Sequence, residues 1–182
     1  MVMELWDVYD ENRIKTGRTL ERGKPEKVQK GEYRMVVHVC IFNSKGEMLI
    51  QQRQPFKRSW SGMWDLTVGG SAVSGDTSIS AAIRETAEEV GVTLAPDELR
   101  RVLTIQTERV FDDIYVVQKD LDETALKLQY EEVAQVKWAS ADEIKAIIRE
   151  KKFIPYHESL IDLIFFIRNH DGTRTEQDKT EI

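Results

Sequence analysis

The chain has 182 residues, enough for one domain with a sizeable core, and its 41% hydrophobic and 32% charged residues are typical of a globular protein in water. Its net charge of -6 argues against a stable complex with nucleic acid, and no apolar run is long enough for a membrane-spanning helix. The single cysteine, Cys40, excludes an internal disulfide and a cysteine-based zinc site. The amino terminus is acidic and unlike a signal peptide, and together with the single cysteine it predicts a cytoplasmic protein. We expect a small-molecule partner, and an anionic one would need a bridging metal ion.

Residues 1–33 are predicted to form a short hairpin and a connector that pack on the main domain. A strand-like run at 5–9 is followed by a polar turn, and glycine and proline then interrupt any longer element. The apolar surface of this segment is too small for a core of its own. We therefore expect the main domain, or a second copy in a homodimer, to cover Leu5, Trp6, Val8 and Tyr9.

Residues 34–170 are predicted to form one α/β domain, followed by a polar tail at 171–182. Two apolar runs, 34–42 and 47–53, flank a turn rich in Asn, Ser and Gly, which predicts a hairpin. The remaining elements follow from apolar periodicity and from turn and capping residues. They are strands at 99–107, 113–118 and 133–138 and helices at 77–90, 141–151 and 155–169, the last with Pro155 in its first turn.

The helix predicted at 77–90 carries three glutamates on one face. Glu85, Glu88 and Glu89 stand at positions i, i+3 and i+4, a spacing that brings helical side chains together. Like charges so close destabilise a helix unless a cation binds them, and Mg²⁺ prefers such oxygen ligands. A solvated acidic face is the alternative interpretation.

The other faces of this helix have their own predictions. The buried stripe is expected on a different face from the glutamates. Either Asp76 or Thr77 can cap the start of the helix, and Gly91 can end it. The residues expected in the buried stripe are Ile79, Ile83, Thr86 and Val90.

The three glutamates belong to a longer pattern that runs from Gly70 to Val92. This stretch resembles the Nudix box, G-x5-E-x7-R-E-U-x-E-E-x-G-U, in which U is a bulky aliphatic residue. Asp76 replaces the first glutamate, a conservative change of an anionic residue at the start of the helix. Thr86 replaces an aliphatic residue, which is expected to weaken packing and to leave the metal-binding face intact.

The resemblance implies a fold, a metal site and a reaction. The fold is an α/β/α sandwich with a mixed central sheet, the box helix on one face and the carboxy-terminal helix on the other. The metal, Mg²⁺ or Mn²⁺, would be bound by Glu85, Glu88 and Glu89 with the carbonyl of Gly69, while Arg84 orients a glutamate. The reaction would be hydrolysis of the diphosphate linkage of a small organic or nucleoside diphosphate derivative by an activated water.

The general base and the substrate contacts are less closely defined. The resemblance implies that the general base is either Glu89 or Glu132. Glu132 precedes the strand at 133–138, a position where some family members carry a further glutamate. The alternative interpretation of Glu132 is a solvated acidic side chain. Phosphate oxygens could be met by Arg53, Lys57 and Arg58, and a base could stack on Trp60 or Phe111. Each of these five also has an ordinary reading as a solvated or core side chain.

The resemblance covers about residues 4–168 and is closest to the branch that includes isopentenyl-diphosphate isomerase. The isomerase needs a cysteine and a metal-binding histidine just after the tryptophan that Trp64 matches, and Val68 and Ser71 stand there instead. Cys40 and His38 are not expected to replace them, because we place these two on opposite faces of their strand. Hydrolase is therefore the first hypothesis, isomerase the second and a non-catalytic ligand-sensing module the third. The segments that carry the branch resemblance are Trp6 to Val8, Leu49 to Arg53 and Gly62 to Leu66.

Overall fold

The structure, a computed structural model, describes residues 4–169, so the predicted tail at 171–182 lies outside the described residues. Within residues 4–169, none of the helices is both long and apolar enough to cross a membrane. The strands are β1 (Leu5–Tyr9), β2 (Lys15–Glu21), β3 (Arg34–Phe42), β4 (Met48–Arg53), β5 (Trp64–Asp65), β6 (Val68–Ser71), β7 (Arg100–Gln106), β8 (Val110–Gln118) and β9 (Val133–Ala139). The α-helices are α1 (Ser78–Val90), α2 (Ala141–Arg149) and α3 (Glu158–Ile167).

The central sheet is mixed, as predicted. Its strand order is β5-β4-β3-β8-β7, with β6 also paired to β3 and β9 to β4. Strand β3 runs parallel to β8 along its whole length and antiparallel to β6. The parallel pair is buried on both faces, which explains why β3 is a nearly continuous apolar run.

Two hydrophobic cores lie on opposite faces of this sheet, and they confirm the predicted sandwich. Alternate side chains of β3 point to opposite faces. Val37, Val39 and Ile41 pack in the core that contains the alanines of α1. Cys40 and Phe42 pack in the core that contains the apolar residues of α2 and α3.

The prediction of a hairpin from 34–42 and 47–53 is correct for the turn and wrong for the pairing of the two strands. The turn forms, because Gly46 N–H donates to the carbonyl of Asn43, but β3 and β4 pair only at Phe42 and Met48. The strands then separate, since β3 takes β6 and β8 as neighbours and β4 takes β5 and β9. Local sequence shows the turn, whereas the distant strands that compete for the backbone are not visible in it.

The last helix begins later than predicted. Pro155 lies in an extended segment, and α3 starts after His157, whose ring accepts a hydrogen bond from the backbone N–H of Ser159. A side-chain acceptor at this point satisfies one of the free N–H groups of the first turn, which fixes the start of the helix.

Strands β1 and β2 form a separate two-stranded sheet that contacts the main domain of the same chain. The backbones of Tyr9 and Tyr33 exchange hydrogen bonds, and Ser74 N–H donates to the carbonyl of Leu5. Between the two strands, the side chain of Arg13 reaches Asp113 in β8 with nitrogen–oxygen distances of 2.7 and 2.9 Å. These contacts bring the carboxyl end of β2 to the edge of the cleft described next.

Candidate active site

Helix α1 is fixed at both ends by its own sequence. Thr77 is the N-cap: its hydroxyl accepts from the N–H of Ser80, whose hydroxyl accepts from the N–H of Thr77. Gly91 ends the helix in the left-handed conformation at φ 72°, which glycine adopts without strain. Asp76 is therefore not the cap. It pairs instead with Arg84 at 2.9 Å.

The buried stripe of α1 was predicted only in part. Thr86 is fully buried, and its hydroxyl donates to the carbonyl of Ala82 at 2.7 Å, so the polar substitution in the box is satisfied within the helix. Ile79 and Ile83 lie at the edge of the core and are only partly buried. The sheet instead covers the small residues, and the fully buried apolar side chains are Ala81, Ala82 and Val90.

The periodicity predicted that the glutamates lie on a face separate from the core. This prediction is wrong for two of the three, which are buried. Glu85 and Glu89 are each only 4% exposed, and the side chain of Glu88 is 49% exposed. Glycine in β6 makes this burial possible, because a Cβ on Gly70 would overlap the carboxyl group of Glu85. The helix therefore packs its acidic edge against a strand that leaves room for it.

All three box glutamates line one cleft of about 370 Å³, which we call the carboxylate cavity. Glu132 lines it as well, whereas its neighbour Glu131 is exposed. The cavity is bounded by β6 and by cationic side chains from the end of β4, from the loop after it and from the turn that follows β2. These further lining residues are Gly69, Gly70 and Ser71 together with Arg22, Arg53 and Lys57.

Each carboxylate in the cavity has a polar partner. Arg84 donates to Glu85 and to Glu88 at 3.1 Å each. The side-chain amide of Gln51 donates to Glu89 at 2.9 Å. Glu132 pairs with Lys57 at 2.5 Å. The predicted contact of Arg84 with the box glutamates is thus present in the geometry.

Burial and mutual repulsion raise the pKa of two of these carboxylates. Burial raises the pKa of Glu89 to about 8, opposed by the hydrogen bond from Gln51 and increased by the charges of Glu85 and Glu132. Burial also raises the pKa of Glu85, against the lowering effect of Arg84. Such carboxylates gain stabilisation from a bound cation.

The residues fit a hard divalent cation in chemistry, although not as a ready-made cage. Within residues 4–169 no three acidic or histidine side chains converge closely enough to hold an ion, because Glu85 and Glu88 turn to Arg84 and Glu89 turns to Gln51. The oxygen donors nevertheless line one cavity, and the side-chain oxygen of Gln51 is buried with no partner among the described residues. These oxygens are of the kind that Mg²⁺ prefers as ligands.

The five predicted substrate contacts separate into four groups. Arg53 and Lys57 line the carboxylate cavity, Trp60 lines an adjoining pocket, and Arg58 is exposed and lines neither. Phe111 cannot stack a substrate base: it is 2% exposed, with its ring 4.6 Å from that of Tyr33.

Sequence reasoning missed Arg22, which reaches the cavity from the end of β2 together with Glu4, its ion-pair partner. Nothing in the local pattern marks this arginine, because its position depends on how the two-stranded sheet packs on the domain. Arg22 adds a third cationic side chain to the cavity. It comes from a segment for which the sequence predicted only a structural role.

The expectation that His38 and Cys40 lie on opposite faces of β3 is wrong. Residues two apart on a strand share a face, and both side chains lie on the side of α3. Cys40 is fully buried, and burial raises the pKa of its thiol. The ring of His38 lies edge-on to Tyr156, with centroids 6.2 Å apart. The two residues still do not place a thiol in the carboxylate cavity.

Comparison with known proteins gives consistent findings. The NUDIX domain family matches residues 32–181. A Listeria monocytogenes protein named as an uncharacterized Nudix hydrolase is 42% identical over 167 residues, which are 92% of this chain and 96% of that protein. An isopentenyl-diphosphate Delta-isomerase of Escherichia coli is 29% identical over 114 residues, 60% of this chain and 61% of the isomerase. A crystal structure of a Deinococcus radiodurans protein shares the fold, with a TM-score of 0.71 at 22% identity over 88% of this chain and 97% of that one.

Proposed function

The chain belongs to the Nudix hydrolase family, and on that premise we propose that it cleaves the diphosphate linkage of a small organic or nucleoside diphosphate derivative with the aid of Mg²⁺ or Mn²⁺. The observation that carries the proposal is the carboxylate cavity, which is lined by five glutamates and three cationic side chains. Carboxylates suit a divalent cation, and arginine and lysine suit phosphate oxygens. One cleft therefore offers both halves of a diphosphate site.

Glu85, Glu88 and Glu89 would hold the cation, with the carbonyl of Gly69 as a further ligand. The bound cation would supply Lewis-acid polarisation and a more acidic water. Arg84 orients Glu85 and Glu88 through its two 3.1 Å contacts. Its role is to position the ligands.

Glu89 is the first candidate for the general base, and Glu132 is the second. In the metal-free protein, burial raises the pKa of Glu89 to about 8, which makes it a stronger proton acceptor than an exposed carboxylate, and a bound cation would lower that pKa. The amide of Gln51 holds one Glu89 oxygen and thereby fixes the direction of the other. Glu132 is drawn to Lys57, which orients it across the same cavity.

The cationic wall should contribute to substrate binding. We expect Arg22→Ala and Lys57→Ala each to raise KM for a diphosphate substrate by roughly tenfold with a smaller change in kcat, as for the loss of one charge-assisted hydrogen bond. Steady-state kinetics at fixed ionic strength measures both constants. Arg18→Ala is the matched control: Arg18 lies in β2, pairs with Glu32 and does not line the cavity. An unchanged KM in Arg22→Ala would show that the amino-terminal sheet contributes nothing to substrate binding.

An isomerase remains the second candidate because of the similarity to isopentenyl-diphosphate isomerase. That reaction moves protons on carbon, and the chain's single cysteine, Cys40, is buried away from the carboxylate cavity. We expect Mg²⁺-dependent release of phosphate or monophosphate from members of a nucleoside diphosphate panel, and no conversion of isopentenyl diphosphate to its isomer. Isomer formation without hydrolysis of any panel member would reverse this ranking.

A further inference from the structure

A second pocket opens beside the carboxylate cavity and shares one wall with it. We call it the side pocket; its volume is about 480 Å³. Arg53 and the β6 residues Gly69 to Ser71 line both spaces, so a molecule whose phosphates lie in one can extend into the other. The side pocket lies on the opposite side of β6 from α1, where Gly69 leaves space against the ring of His38.

Asp65 is the residue of the side pocket whose chemistry is most specific. It is 4% exposed, and its oxygen Oδ1 accepts from the N–H of Leu66 at 2.8 Å and from the hydroxyl of Tyr156 at 3.0 Å. Among the described residues, the other oxygen, Oδ2, has one charged neighbour, an Arg53 nitrogen at 4.0 Å, which is beyond hydrogen-bond distance. Asp65 lines the side pocket, so this oxygen is available to accept a hydrogen bond from a molecule bound there.

The neighbours of Asp65 hold it in this orientation. The hydroxyl of Tyr156 lies 3.3 Å from Nε2 of His38, and Nδ1 of His38 lies 2.7 Å from Asp112. The chain of contacts links three strands and the segment before α3. Such a connected polar network is costly to bury unless it is satisfied, and it fixes the geometry of its members.

An aromatic side chain stands at the rim of the same pocket. Trp60 lines the side pocket, is 49% exposed, and has φ 52°, a left-handed conformation that is unfavourable for a bulky residue. Strained, exposed aromatic residues are concentrated at binding sites, because surrounding structure must enforce the conformation. Its half-exposed side chain is available to a planar group that enters the pocket.

We propose that the side pocket receives the organic group of the diphosphate and selects a group that presents an N–H or O–H donor to Asp65. The proposal rests on the proposed function, because the phosphates must occupy the carboxylate cavity for the attached group to enter here. A donor on the ligand completes the bonding of Oδ2. An alkyl or isoprenyl group would leave that oxygen without a partner, which excludes such diphosphates. The donor can come from an exocyclic amine of a base or from a sugar hydroxyl.

Asp65→Asn is the informative substitution. The asparagine oxygen can still accept from Leu66 and Tyr156, while its NH₂ group replaces the free acceptor by a donor. Binding is measured by calorimetry with Mg²⁺ and non-hydrolysable α,β-methylene diphosphates. Adenosine and purine-riboside derivatives differ in one exocyclic amine, and ribose and 2′-deoxyribose derivatives differ in one hydroxyl. Isopentenyl diphosphate is the ligand without a donor on its organic group.

We expect the parent to bind at least one donor-bearing ligand roughly tenfold to a hundredfold more tightly than its donor-deficient partner, and Asp65→Asn to lose that preference. If the donor is a base amine, the preference for adenosine should disappear or reverse in Asp65→Asn. If the donor is a sugar hydroxyl, the preference for ribose should disappear or reverse instead. Asp97→Asn, an exposed substitution outside both pockets, is the control. The proposal is overturned if Asp65→Asn, with unchanged thermal midpoint, binds every ligand as the parent does, or if isopentenyl diphosphate binds as tightly as the best nucleotide. Because binding is measured without turnover, an inactive parent would contradict the proposed hydrolysis and leave this test intact.

Discussion

Replacing Glu89 by Gln is expected to lower Mg²⁺-dependent diphosphate hydrolysis by roughly 10²- to 10⁴-fold, the contribution typical of an essential acid–base group. Glutamine keeps the shape of the side chain and can keep the contact with Gln51, but it loses the anion that a divalent ion and a proton acceptor both require. Phosphate release measured across Mg²⁺ concentrations tests this. Full hydrolysis by Glu89→Gln of a substrate that the parent cleaves would show that the box glutamates are not the site.

The same substitution should stabilise the metal-free protein at alkaline pH. Glu89 has a pKa of about 8 in the folded protein against 4.5 as the reference value, so between these values the folded state keeps a proton that the unfolded state releases. Stability of the parent therefore falls as pH rises through this window. Glu89→Gln does not titrate there, and its advantage should be absent near pH 4 and grow towards pH 8, with an upper limit of about 5 kcal/mol. Urea unfolding at several pH values, with and without Mg²⁺, measures it.

Glu88→Gln is the matched control for this stability change. It makes the same substitution one residue away, on a side chain that is 49% exposed and paired with Arg84. As a proposed metal ligand it should also lose activity, but it should gain no alkaline stability in the metal-free protein. An equal gain in both variants would mean that general helix charge, and not the burial of Glu89, causes the effect.

Features fixed by adjacent residues were predictable from the sequence. The box helix, a cap at Asp76 or Thr77 and a terminus at Gly91 depend on hydrogen bonds and backbone conformations within a few residues, and the structure selects Thr77. That all three box glutamates line one cavity follows from helical spacing in the same way. The mixed sheet and its two covering layers were inferred by family resemblance, and they depend on long-range pairing such as that of β3 with β8.

Features that depend on what packs against an element were not predictable. The burial of Glu85 was missed because it depends on Gly70 in a separate strand, and periodicity alone assigns a carboxylate to solvent. Arg22 was missed because its place in the cavity comes from docking of the two-stranded sheet. The error over His38 and Cys40 was different, since strand alternation by itself places them on one face.

Asp113 should be the polar residue whose loss destabilises the fold most. Its side chain is fully buried and accepts hydrogen bonds from Arg13, Ser78, Arg101 and Thr104. We expect Asp113→Asn to lower the free energy of unfolding at pH 7 by about 2 to 3 kcal/mol, because several donors lose hydrogen bonds to a shared buried carboxylate. Urea unfolding measures the loss, and hydrogen exchange should show faster opening of β1 and β2, which Arg13 helps to hold on the domain.

The loss of stability at acid pH should also depend on Asp113. Burial raises the pKa of Asp113, but hydrogen bonds from Arg13, Ser78 and Thr104 outweigh it and lower the pKa to about 2 from the reference 3.8. A lowered carboxyl pKa gives stability that is complete above the unfolded value and is lost as pH falls through the folded one. The parent should therefore lose about 2 kcal/mol from this group between pH 4 and pH 2, and Asp113→Asn should lack that part of the slope. Asp142→Asn, on a side chain that is 93% exposed, should match the parent within about 0.5 kcal/mol. If Asp113→Asn unfolds at the same urea concentration as Asp142→Asn, the buried network contributes nothing to stability and the attachment of the amino-terminal sheet must depend on its apolar contacts instead.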